Sequence, residues 1–146
     1  MTQSSNISRE EKLRHLVEMK GSKAVTALTA YDYAVARIID EAGIDIILVG
    51  DSLGMMVFGH EDTTTVTVSM MKHHVAACRN GVVRSLLVAD MPYRSYHDNR
   101  TAIETATELV SAGADAVKLE GGIAVLSQIH AILDAGIAVF GHIGML

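Results

Sequence analysis

The chain has 146 residues, of which 49% are hydrophobic, enough for one domain to bury a core and too many for a disordered chain. Lys and Arg number 12 against 17 Asp and Glu, giving a formal net charge of -5, so there is no basic footprint for nucleic acid, and an aromatic content of 4% without Trp argues against a base-stacking platform. Mean hydropathy is +0.28, yet the apolar runs are strand-sized, short of the roughly 20 residues that cross a bilayer, and the polar first 20 residues do not read as a signal peptide. The lone Cys78 has no disulfide partner and no Cys/His cluster has zinc spacing. A cytoplasmic, soluble protein is expected.

In chain order, SREEKLRHLVEMKG at 8–21 opens with a capping box, Ser8 as N-cap and Glu11 three residues on. Leu13, Leu16 and Val17 fall on one face and Gly21 stops the helix. A β-branched, small-residue run at 23–33 is then followed by AVARIIDEAG at 34–43, which has helical periodicity and a closing glycine. That strand-loop-helix unit recurs. IDIILVG leads into Asp51, LLVA into Asp90, DAVKLEGG carries Lys118 and Glu120, and IAVFGHIG carries His142. Between them, the segments 69–81, 101–113 and 124–136 have helical spacing and each ends in glycine, expected at the position just past the helix. Five strands and four intervening helices are predicted. Because the strands are nearly continuous in Val, Ile, Leu and Ala, they read as buried on both faces, as in a parallel sheet covered by helices.

Ligands of parallel α/β folds bind at the carboxyl ends of the strands, where this sequence places Asp51, Ser52, Asp90, Lys118, Glu120 and His142. One acid there is commonly a helix cap or turn residue. Three acids after three consecutive strands are another matter: Asp51, Asp90 and Glu120 would converge, and like charges that close need a cation. Oxygen-only ligands suit Mg²⁺. Lys118 is two residues before Glu120, on the same strand face, and is either an ion-pair partner bridging strands or an anion-binding group, the second being favoured. His142 could face a substrate or satisfy a buried carbonyl. His73, His74 and His130 read as surface or packing residues, and His60 has no evident partner.

TALTAYDY at 26–33, LVGDSLGM at 48–55, GHEDT at 59–63, VTV at 66–68, LLVADMPY at 86–93, AGADAVKLEGG at 112–122 and GHIGML at 141–146 together resemble ketopantoate hydroxymethyltransferase. The resemblance implies a (β/α)₈ barrel of which about the first five βα units are here, preceded by an N-terminal helix: one incomplete domain, 1–146, with the helix in 1–22 and the strands in 23–146. It implies transfer of a one-carbon unit from 5,10-methylenetetrahydrofolate to 3-methyl-2-oxobutanoate in pantothenate and coenzyme A synthesis, in a cytoplasmic decamer. It further implies Asp51, Asp90 and Glu120 at Mg²⁺, and Asp51, Ser52, Asp90, Lys118 and His142 at the oxo acid. Phe58 stands where the family carries a polar residue and Thr65 where it often has proline. A (β/α)₈ barrel takes about 250 residues, and the family's catalytic base, a glutamate on a later strand, would lie beyond Leu146, so no catalytic residue is assigned. A lyase or mutase of the phosphoenolpyruvate-utilising kind, and a non-enzymatic binder of Mg²⁺ and oxo acid or of a partner chain, are the alternatives.

Overall fold

The computed structural model describes residues 7–144. Helix α1 (Arg9–Glu18) begins as its capping box predicts, with Ser8 Oγ accepting from the Glu11 amide at 3.2 Å and the Glu11 carboxylate accepting from the Ser8 amide at 2.8 Å. Then follow β1 (Ala27–Thr29), α2 (Tyr33–Glu41), β2 (Ile46–Val49), α3 (Leu53–Met56), α4 (Val68–Arg79), β3 (Leu86–Asp90), α5 (Asn99–Ser111), β4 (Ala116–Glu120), a 3₁₀ turn (Gly122–Val125), α6 (Leu126–Asp134) and β5 (Ala138–His142). The short helix α3 and the 3₁₀ turn were not legible as periodic segments, because one turn of helix is too short to show a period.

All five strands pair in parallel in the order β1-β2-β3-β4-β5. This is a singly wound sheet, the curved wall of a partial (β/α) barrel. Strand alternation divides the residues between two sides. Ile47, Val49, Leu87, Ala89, Val117 and Leu119 pack outward against Met71 and Val75 of α4, Leu109 of α5 and Ile132 of α6. Ile46, Leu86, Val88 and Ala116 face inward, where Leu13 and Leu16 of α1 cover them from the amino ends of the strands. Each fully buried Leu or Ile contributes about 1.5–3 kcal/mol, so this outer layer holds the sheet.

Two expectations need correction. Val17 lines the same groove as Leu13 and Leu16, as the helix face predicts, but it is 72% exposed rather than buried, while Met19 is buried. The strands are not all buried on both faces. β2, β3 and β4 are, but all three residues of β1 are exposed and β5 is half covered, since each of these two strands pairs on one side only. Gly43, Gly113 and Gly136 occupy the left-handed position past their helices, as predicted, whereas Gly81 does not. It is required for closeness: a Cβ there would lie 2.6 Å from the Tyr33 carbonyl oxygen.

Polar side chains stitch the amino-terminal side of the sheet. Asp40 Oδ1 accepts from the Arg84 and Ser85 amides at 2.9 and 2.7 Å, and Asp115 Oδ2 accepts from the Leu87 amide at 2.9 Å and from Arg79 at 3.1 Å. Lys12 reaches the same oxygen at 3.5 Å, anchoring α1. Among the described residues no helix is long and apolar enough to cross a membrane.

Candidate active site

The inner face changes character along each strand. Leu86 and Val88 are followed at the same parity by Asp90, Ala116 by Lys118 and Glu120, and Ala138 and Phe140 by His142. In register, Asp90 lies opposite Lys118 and Glu120 opposite His142. The carboxyl ends of β3, β4 and β5 thus carry one continuous charged row above an apolar floor.

Lys118 Nζ donates to both oxygens of Asp90 at 2.9 Å and to Glu120 Oε1 at 3.0 Å, and His142 Nδ1 donates to the same Glu120 oxygen at 2.6 Å. The side chains of Asp90 and Lys118 are both buried. Burial pushes the Asp90 carboxyl up to about 6, further raised by the neighbouring charge of Asp51 and opposed by Lys118 and by the Asp51 backbone N–H. Burial pulls Lys118 down, but Asp90 and Glu120 outweigh it and hold the ammonium above its usual range. Burial also works against Glu120, yet the hydrogen bonds from His142 and Lys118 keep it below the usual carboxylate range. At neutral pH Asp90, Lys118 and Glu120 form an ionic cluster.

Sequence reasoning brought Asp90, Lys118, Glu120 and His142 together, and so does the structure. The cation between Asp90 and Glu120 is Lys118 itself, which bridges the ends of β3 and β4. The expected convergence of Asp51, Asp90 and Glu120 on one ion is not formed as such: among the described residues no group of three or more His, Cys, Asp or Glu stands close enough to hold a metal. Two hard carboxylates remain, Asp51 and Asp90 on neighbouring strand ends, their charges interacting. Oxygen donors of that number suit Mg²⁺, which takes one or two carboxylates and fills its other positions with water or substrate oxygens. Asp51 and Asp90 supply such carboxylates, and Glu120, whose Oε1 accepts from Lys118 and His142, stands beside them across Lys118.

Ser52 follows Asp51 and opens α3, but its hydroxyl makes no capping bond. It lies 2.9 Å from the phenol oxygen of Tyr31, a residue the sequence reading did not single out. The signal was present, since Tyr31 occupies the polar position after β1 just as Asp51 does after β2. Tyr96, half-buried, has its phenol raised by burial, near the Glu120 backbone, and was likewise missed. His74 donates from Nδ1 to the Tyr31 carbonyl at 2.6 Å. His60 has a partner after all, Thr65 Oγ1 at 2.7 Å, and the Phe58 ring stands 5.6 Å from His60 and 5.7 Å from His74. The two positions that depart from the family pattern therefore belong to one loop cluster.

A sequence profile of the family described as Ketopantoate hydroxymethyltransferase matches residues 10–146. The chain belongs to that family. Among ketopantoate hydroxymethyltransferase relatives, the 3-methyl-2-oxobutanoate hydroxymethyltransferase of Aeropyrum pernix is 51% identical over 133 residues, covering 90% of this chain and 48% of that protein. The protein of the same name from Acetivibrio thermocellus is 53% identical over 131 residues, covering 88% and 46%. The chain thus spans about half the length of the curated relatives it matches. Among solved structures, a phosphonopyruvate hydrolase superposes with a TM-score of 0.78 at 18% identity, covering 92% of this chain and 52% of that one. A 2,3-dimethylmalate lyase, of the PEP mutase/isocitrate lyase superfamily, gives 0.71 at 21% identity, covering 94% and 54%. These two likenesses concern the fold, and they agree with the partial barrel seen in this member of the ketopantoate hydroxymethyltransferase family.

Proposed function

We propose that this chain carries the oxo-acid and metal side of a 3-methyl-2-oxobutanoate hydroxymethyltransferase, which joins the one-carbon unit of 5,10-methylenetetrahydrofolate to C3 of 3-methyl-2-oxobutanoate and so forms 2-dehydropantoate for pantothenate and coenzyme A. The observation that carries the reading is the ionic row at the carboxyl ends of β3 to β5, in a chain about half identical to proteins of that name. A cytoplasmic, homo-oligomeric protein belongs to the same reading, with neither nucleic acid nor membrane as partner.

Asp51 and Asp90 would hold Mg²⁺. Bound there, the ion would draw electron density from the keto and carboxylate oxygens of the substrate and make its C3 proton more acidic. The Lys118 ammonium, kept charged by Asp90 and Glu120, supplies a fixed positive charge for the substrate carboxylate. The Ser52 hydroxyl offers a donor to a substrate oxygen, and His142, fixed by Glu120, lines the side towards β5. Glu120 is unsuited to removing the C3 proton, because its two partners hold its pKa low. None of the described residues is given that task.

Titration calorimetry with 3-methyl-2-oxobutanoate tests the reading. Binding is expected with Mg²⁺, and is expected to be lost in Asp51→Ala. Absence of binding by the wild type in the presence of Mg²⁺ contradicts it.

A further inference from the structure

Ser52 sits at the N-cap of α3, where a serine ordinarily accepts a hydrogen bond from an amide two or three residues on. Here it does not. Its backbone is already helical, at φ -52 and ψ -13, which turns the side chain away from the amides it would cap. The hydroxyl instead meets the Tyr31 phenol at 2.9 Å. Gly50 leaves the space in which this happens: a Cβ there would be 2.8 Å from Ser52 Oγ and 3.9 Å from Asp90 Oδ2, so the hydroxyl and the Asp90 carboxylate flank the same gap. Tyr31 is fixed in turn, its carbonyl held by His74 at 2.6 Å and its ring packed against the core.

We infer that Tyr31 is a positioning residue, which donates its phenol proton to Ser52 Oγ and thereby directs the Ser52 proton towards a ligand oxygen in the gap beside Asp90. A hydroxyl has one proton and two lone pairs. If Ser52 gave its proton to Tyr31, it could only accept, and would repel an oxygen-rich ligand. With Tyr31 as donor, Ser52 faces the ligand as a donor, and the chain of two O–H groups polarises the second. The assignment rests on the proposed oxo-acid site. The ligand chemistry it selects is a carboxylate or keto oxygen.

The test is a double-mutant cycle on oxo-acid affinity in Mg²⁺, using Tyr31→Phe, Ser52→Ala and the double variant, with the thermal midpoint of each measured beside it. Tyr31→Phe should weaken binding about three- to tenfold, the worth of one neutral hydrogen bond, with the midpoint close to wild type. Adding Tyr31→Phe to Ser52→Ala should cost nothing more, because the phenol acts only through that hydroxyl. Unchanged affinity in Tyr31→Phe, or a loss that persists undiminished in the Ser52→Ala background, overturns the inference while leaving the oxo-acid site standing. No binding by the wild type overturns both.

Discussion

Replacing Lys118 with methionine would leave the Asp90 carboxylate buried without its counter-charge, a loss of about 3–5 kcal/mol for a buried pair. Chemical denaturation of Lys118→Met measures it, and adding Asp90→Asn should recover a large part, since the buried charge is then gone. Additive losses in the double variant would show that the two groups do not interact as the 2.9 Å contacts require. Asp40 is the counterpart on the other side of the sheet. Burial raises its carboxyl, but the amides of Ser85, Arg84 and Val83 outweigh burial and lower it below the usual 3.8. Its folded pKa is below the unfolded one, so its charge stabilises fully above about pH 4 and ceases to as pH falls through the folded value. The gap in stability between wild type and Asp40→Asn should therefore be larger at pH 7 than at pH 3 in thermal unfolding. A gap that widens in acid would contradict this. At this scale the sequence disclosed which strand-end residues carry charge, through their fixed place after each apolar run. It did not disclose how they pair: that depends on the register that sets Asp90 beside Lys118 and Glu120 beside His142, and register is a property of two strands together.

The elements were largely readable because their signals are local. The capping box at Ser8 and the glycines past α2, α5 and α6 marked ends of periodic segments, and the structure adds side-chain caps at Asp32, Thr67 and Asp98 that the sequence reading did not use. Gly81 is the instructive exception. It follows α4 in sequence as the others follow their helices, but it lacks their positive φ and serves the approach of α2 to α4, a long-range demand that no local pattern announces. Gly81→Ala must push back a backbone carbonyl, and should cost about 1–3 kcal/mol as overpacking does. Circular dichroism melts of Gly81→Ala and Gly136→Ala separate the two roles. Gly136 has open space around its missing Cβ and should cost only the left-handed strain, so an equal or larger loss at Gly136 would refute the close-approach account.

The molecule as a whole is organised by one alternation, apolar residues outward to the helices and, inward, an apolar floor that gives way to charge at the carboxyl ends of the strands. The floor is a groove of about 590 Å³ between α1 and the sheet, lined by Leu13, Leu16, Ile46, Leu86, Ala116 and Phe140. Among the described residues β1 and β5 border it with their unpaired edges, and Phe140 is exposed there. Part of the 49% hydrophobic content that first suggested an ordinary core therefore lies on an inner wall. Two surfaces, the ionic row and the apolar groove, compete as places for a small acid, and the account assigns 3-methyl-2-oxobutanoate to the first. Amide chemical-shift mapping by NMR, with the oxo acid added in the presence of Mg²⁺, decides between them. The account predicts shifts at Gly50, Asp51, Ser52, Met91 and Gly121, with the groove undisturbed; shifts gathered instead at Leu13, Leu16, Ala27 and Phe140, or none at all, would contradict it.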